Sequence, residues 1–174
     1  MDKNFLDTLT KDGDAYLIAS ADDLCNFSEY VNAGNDCKDL IFKLANNIDL
    51  RDVENFTPIG TKENPFAGTF DGDGKTISNL KIVGKNYVGL FGRLKPDWDK
   101  PFGTIKNINL SDASVSGKEY VGGLVGSNDG TVENCSVSGN VCGEDATGGL
   151  VGKNDDTIEN CIFSGSVSKR DEII

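Results

Sequence analysis

Apolar and polar residues alternate along this chain in short runs, and the runs are copied. Thr104-Ile-Lys-Asn-Ile, Thr131-Val-Glu-Asn-Cys and Thr157-Ile-Glu-Asn-Cys start 27 and 26 residues apart. Val121-Gly-Gly-Leu-Val-Gly126 returns after 26 residues as Thr147-Gly-Gly-Leu-Val-Gly152, with a divergent Val88-Gly-Leu-Phe-Gly92 before both. Alternation at period two marks strands with one face inward, and copying at a fixed period marks a repeat architecture. At roughly 3.3 Å per residue the unit is a path of about 86 Å, too long for one strand and suited to a coil of three short strands joined by turns. The pattern predicts an all-β chain, a right-handed parallel β-helix (solenoid) of about five coils whose equivalent residues stack in ladders.

Aligning the units on asparagine gives Asn47-Ile-Asp-Leu, Asn79-Leu-Lys-Ile, Asn107-Ile-Asn-Leu, Asn134-Cys-Ser-Val and Asn160-Cys-Ile-Phe. This alignment predicts a five-membered asparagine ladder at a bend. It also predicts two inward columns, Ile48/Leu80/Ile108/Cys135/Cys161 and Leu50/Ile82/Leu110/Val137/Phe163. Asparagine suits a bend because it tolerates left-handed backbone and its amide can bond the copies above and below.

An open solenoid needs covers at its ends. Ser20 followed by Asp23 reads as a helix start, and Leu24, Phe27, Tyr30 and Val31 form one apolar face before Asn32-Ala-Gly34. The chain is therefore expected to be one domain. Residues 1–36 form an N-terminal cap with a helix near 21–33, residues 37–167 the stacked coils, and residues 168–174 a tail. The last coil lacks an amphipathic cover, which leaves three readings: shielding by Lys169 to Glu172, docking of another chain, including a homodimer through this rung, or continuation of the protein.

Composition narrows the function. A formal charge of −11 disfavours direct nucleic-acid binding and favours a protein partner with a basic surface. No signal-peptide pattern and no run of about 18 apolar residues is present, so the sequence as written reads as cytoplasmic and not membrane-inserted, or as surface or secreted if it is an excised module. With no histidine, the usual nucleophilic triads and zinc sites lose a central member. Five cysteines without CxxC spacing read as reduced, buried thiols, although Cys135 and Cys161 fall in adjacent rungs. Asp71 and Asp73 read as turn residues, since the EF-hand pattern is not met. No acid pair is singled out for glycosidase chemistry. No catalytic residue, metal site or cofactor is expected.

Gly122-Gly-Leu-Val-Gly126 and Gly148-Gly-Leu-Val-Gly152, with Asn-Cys between them and the Gly68–Leu80 segment upstream, resemble the GLUG-motif repeats of bacterial immunoglobulin A peptidases and large surface adhesins. The resemblance covers about residues 16–167. It implies a non-enzymatic, adhesin-like interaction module and names no catalytic residue.

Two surfaces stand out as partner-binding candidates. One is the proline-bounded insertion with Trp98 between Asp97 and Asp99, where tryptophan offers an aromatic anchor to a protein or sugar. The other is the acidic stretch Glu119 to Glu159, in which Asp129, Glu133, Glu144, Asp145, Asp155, Asp156 and Glu159 recur as an outward anionic face. Two alternatives to the adhesin reading remain at this point. One is an acidic inhibitor of phage or mobile-element type that mimics DNA before a nucleic-acid-binding enzyme. The other is a carbohydrate-binding or carbohydrate-active β-helix.

Overall fold

The computed structural model describes residues 4–95 and 102–170. Six strands from successive passes of the chain, Ala15–Ile18, Ile41–Leu44, Thr69–Asp71, Thr104–Lys106, Thr131–Glu133 and Thr157–Glu159, lie in parallel in one sheet. Lys11–Asp12 extends it antiparallel at its first edge. A second sheet stacks Ile48–Asp49, Thr76–Ser78 with Lys81–Val83, Asn109–Ser116, Ser136–Gly143 and Ile162–Lys169. The remaining wall is two three-stranded sheets, Asn86–Val88/Glu119–Gly122/Asp145–Gly148 and Phe91–Leu94/Val125–Asn128/Val151–Asn154. The fold is a parallel β-helix of about six turns, one more than the alternation predicted. The extra turn starts at Ala15–Ile18, inside the segment expected to be only a cap, because that strand runs into a helix and carries no copied phrase.

Tyr16, Phe42, Phe70, Ile105, Val132 and Ile158 follow one another in register along the first sheet. This column is aromatic at one end and aliphatic at the other. The aromatic end receives the helix Ala21–Asn32: Ser20 Oγ accepts the Asp23 N–H at 3.1 Å, and Asp23 returns the bond to the Ala19 N–H at 2.9 Å. Leu24, Phe27 and Val31 are buried beneath it, Tyr30 is half-buried, and the Phe27 ring sits 4.5 Å from Phe42 and 5.6 Å from Phe70. Each fully buried phenylalanine contributes on the order of 1.5–3 kcal/mol, so this end is strongly closed. Among the described residues the other end has no such cover, and Ile162 and Val167 are 68% and 47% exposed.

The asparagine ladder has three members, not five. Asn107, Asn134 and Asn160 occupy the same corner at φ 58°, 54° and 54°. Asn79 belongs to the next corner, level with Asp112, because Ser78 pairs with Ser111 and Lys81 with Ser114. Asn47 lies one step before Ile48, and its Oδ1 accepts the Thr76 N–H. The true column is Ile48/Ile77/Leu110/Val137/Phe163, and Ile82 stacks on Val115. Apolar residues recur at period two on both sides of a corner, so an alignment slipped by one corner still selects buried residues. Register also explains the 27-residue interval: Leu110 to Ala113 spans one residue more than its partners Val137 to Gly139, and the extra residue is a bulge holding Asp112 at φ 55°.

The glycine phrase has a steric cause. A Cβ on Gly92 would run into the Gly60 carbonyl oxygen, one on Gly126 would meet the Gly92 oxygen at 2.7 Å, and one on Gly152 the Gly126 oxygen at 2.7 Å. Successive turns approach each other backbone to backbone along this line, and only glycine fits.

Candidate functional site

The acids expected to form one anionic face are divided among different walls. Glu133 and Glu159 stack in the first sheet behind Lys106 and Asp71, so the column alternates in sign before its last pair. Asp145 stacks on Glu119 in a different sheet, and Glu144 stands half-exposed beside it, its N–H bonded to the Lys118 carbonyl. Asp156 is half-exposed and its carboxylate accepts the Thr157 hydroxyl at 3.0 Å.

Asp129 departs from the expected outward placement. It is buried, with Arg93 Nε donating to its Oδ2 at 3.1 Å. Burial pushes its carboxyl above the usual range, the Arg93 guanidinium opposes that, and a hydrogen bond shared with Asp155 adds to the rise. Asp155 in turn accepts from Lys153 at 3.3 Å. Arg93 and Lys153 thus flank the carboxylate pair, with Asp129 buried in the wall and Asp155 exposed. Asp97, Trp98 and Asp99 lie outside the described residues.

A second region was not singled out by its sequence. Tyr87 and Tyr120 occupy equivalent places in successive turns, since their neighbours Asn86 and Glu119 pair, as do Val88 and Val121. Both are left-handed, at φ 58° and 57°, and Ala146 repeats the conformation one turn later at φ 46°. Their rings lie 4.9 Å apart at 44°, and the Lys153 ammonium stands 5.7 Å from the centre of the Tyr120 ring. Tyr87 also lines a cavity of about 320 Å³ together with Asn32, Asn86 and the loop Thr57–Glu63.

That loop is held from beneath. Ser28 Oγ donates to Thr57 O at 2.7 Å, Asn32 Nδ2 donates to Pro58 O at 3.0 Å, and Asn32 Oδ1 accepts the Gly60 N–H at 2.8 Å. Arg93 Nη1 reaches Lys62 O at 2.9 Å. The side chains of Thr57, Lys62, Glu63 and Asn86 at the cavity rim are committed to no hydrogen bond or ion pair among the described residues. The missed signal was the repeated Asn-Tyr-Val and Glu-Tyr-Val, in which tyrosine recurs next to the glycine phrase.

Cys135 is buried, its Sγ donates to Glu133 O, and desolvation pushes its thiol up to about 12, a value at which no thiolate forms near neutrality. Asp71 accepts from Asn107 Nδ2 and from the Asp73 N–H, and the Asp73 carboxylate meets Lys43 and Lys75, so both carboxylates are engaged within the wall. No helix among the described residues is long and apolar enough to cross a membrane.

Residues 117–141 and 143–168 each match the family model described as the GLUG motif. Over 143 residues, 74% of this chain, the sequence is 36% identical to Halomucin from Haloquadratum walsbyi, of which the matched part is 2%. Over 132 residues it is 31% identical to a Gly-rich membrane protein from Evansella cellulosilytica, covering 14% of that protein. The chain therefore spans a small part of the curated relatives it matches. A solved chain from Bacteroides ovatus described as an immunoglobulin A1 protease superposes with a TM-score of 0.68 over 89% of this chain and 48% of the solved one. At 23% identity that likeness speaks for the fold alone.

Proposed function

The chain carries GLUG-motif repeats, and from that premise we propose that it is a non-enzymatic, adhesin-like binding module of a surface or secreted protein. One observation carries the reading. The positions copied from turn to turn are the inward apolar residue, the corner asparagine and the close-approach glycines, as in Val132/Ile158, Asn134/Asn160 and Gly126/Gly152. The outward positions change: Lys43, Asp71, Lys106 and Glu133 stack in one column, and Asn86, Glu119 and Asp145 in another. A constant frame with a varied outer wall presents side chains to a partner. Catalysis instead concentrates acids and bases at one place. The names of the two curated relatives, a mucin-like name and a membrane protein, support a surface setting. The excess of exposed acid on the last turns, Asp145, Asp155 and Glu159, favours a partner with a basic surface.

The test is adhesion. Displayed on a non-adherent cell, the chain should make that cell stick to immobilised extracellular matrix protein or mucin glycoprotein. A variant with the outward side chains of the last three turns replaced by serine and threonine should keep its β circular dichroism and lose the adhesion. No adhesion by the native chain to either surface overturns the reading.

A further inference from the structure

The cavity beside Tyr87 combines three features that no structural role requires together. Its floor is preorganised, because Ser28, Asn32 and Arg93 fix the loop backbone from below. Its rim offers a hydroxyl, an ammonium, a carboxylate and a carboxamide, all uncommitted among the described residues, so donors and acceptors are present with one formal charge of each sign. Its wall is an aromatic ring backed by Tyr120 at 4.9 Å, which is backed in turn by Lys153.

The tyrosine is held there at a cost. A bulky residue at φ 58° is an outlier, and the equivalent place one turn beyond Tyr120 is filled by Ala146, so the corner does not need a ring. The volume of about 320 Å³ lies at the low end for small-ligand pockets and suits a single ring-sized group.

The geometry points to a saccharide-binding site in this cavity, with the C–H face of a neutral sugar on Tyr87 and its hydroxyls on Glu63, Lys62 and Asn86. A sugar matches the lining because it presents an apolar face and, at its edge, hydroxyls that both donate and accept. A net anion or cation would leave Glu63 or Lys62 opposed to it. A nucleobase sandwich would need an open ring on both sides, and one side of Tyr87 is taken by Tyr120. The site deepens the reading of the chain as a binding module and rests on it.

Saturation-transfer NMR on the intact chain, with a panel of neutral hexoses, N-acetylhexosamines and their disaccharides, tests the site. Binding in the millimolar range is expected. Tyr87→Asn removes the ring while keeping a residue that accepts positive φ, and should weaken binding about tenfold or more. Tyr87→Phe should bind like the native chain, and Glu63→Gln should bind several-fold more weakly. No binding by any sugar below roughly 10 mM, or equal binding by a folded Tyr87→Asn chain, overturns the proposal. Preference for a zwitterionic amino acid or short peptide at the cavity overturns it as well. If the displayed chain adheres to deglycosylated protein while no sugar binds, this site fails and the module reading stands. If sugars bind and no surface is held, the reverse is true.

Discussion

The side-chain amide of Asn128 donates to Asn154 Oδ1 at 2.8 Å, bridging two successive turns with Asn128 fully buried. The same amide donates to Thr157 O at 3.0 Å, and its Oδ1 accepts the Gly130 N–H at 3.0 Å. Asn128 is the buried asparagine among the described residues. It stands at the end of Val125–Asn128, away from the asparagines at the copied Thr-x-x-Asn phrase.

Asn128→Ala should therefore cost more than Asn107→Ala. Truncating Asn128 strands a buried N–H and a carbonyl and should destabilise by roughly 3 kcal/mol. Truncating Asn107 removes one bond to Asp71 and a left-handed preference, which should cost about 1–2 kcal/mol. Urea denaturation of the two variants gives the order, and the reverse order would mean that the corner asparagines carry the stack.

Glycine substitutions should separate close approach from backbone conformation. A Cβ at Gly126 would meet the Gly92 oxygen, the Tyr120 oxygen and the Val88 nitrogen, all within 2.8 Å and all backbone. Gly126→Ala should lose on the order of 3 kcal/mol or fail to fold. Gly74 is at φ 76° with open space around it, so Gly74→Ala should cost only about 1 kcal/mol. Equal midpoints in denaturation would show that the turns can separate at Gly126 without loss.

Asp129 should give stability an unusual pH slope. Its carboxyl is raised above its ordinary 3.8, chiefly by burial, so the folded chain holds the proton more tightly than the unfolded one. The contribution of this group is greatest below 3.8 and falls as pH rises through its folded value. The stability of the native chain minus that of Asp129→Asn should decline across the window directly above pH 3.8, and stay flat beyond it. A difference that grows with pH would show that Arg93 outweighs burial and holds the carboxyl down.

The open end should exchange first. Among the described residues Ile162–Lys169 pairs on one side only, with Ser136–Gly143, whereas Ser136–Gly143 is paired on both. Amide hydrogen exchange should be faster in residues 162–169 than in 136–143. Equal and strong protection in both at high dilution would require a cover on the last turn that the described residues do not supply.

Local pattern alone was enough for the class of fold, the repeat length, the capping helix and the inward face of the copied apolar residues. It sufficed because alternation, glycine spacing and the Ser20–Asp23 start are local chemistry that any turn of the solenoid must satisfy. It did not determine which rung residue stacks on which: Asn79 and Asn47 carry the same neighbours as Asn107, and only hydrogen-bonded pairing across turns distinguishes them. Nor could it show that Asp129 is buried against Arg93, 36 residues away, or that Thr57–Glu63 meets Tyr87 across a cavity. Those relationships join residues of different turns. The winding of the chain brings them together, and a bulge of one residue at Asp112 is enough to shift them.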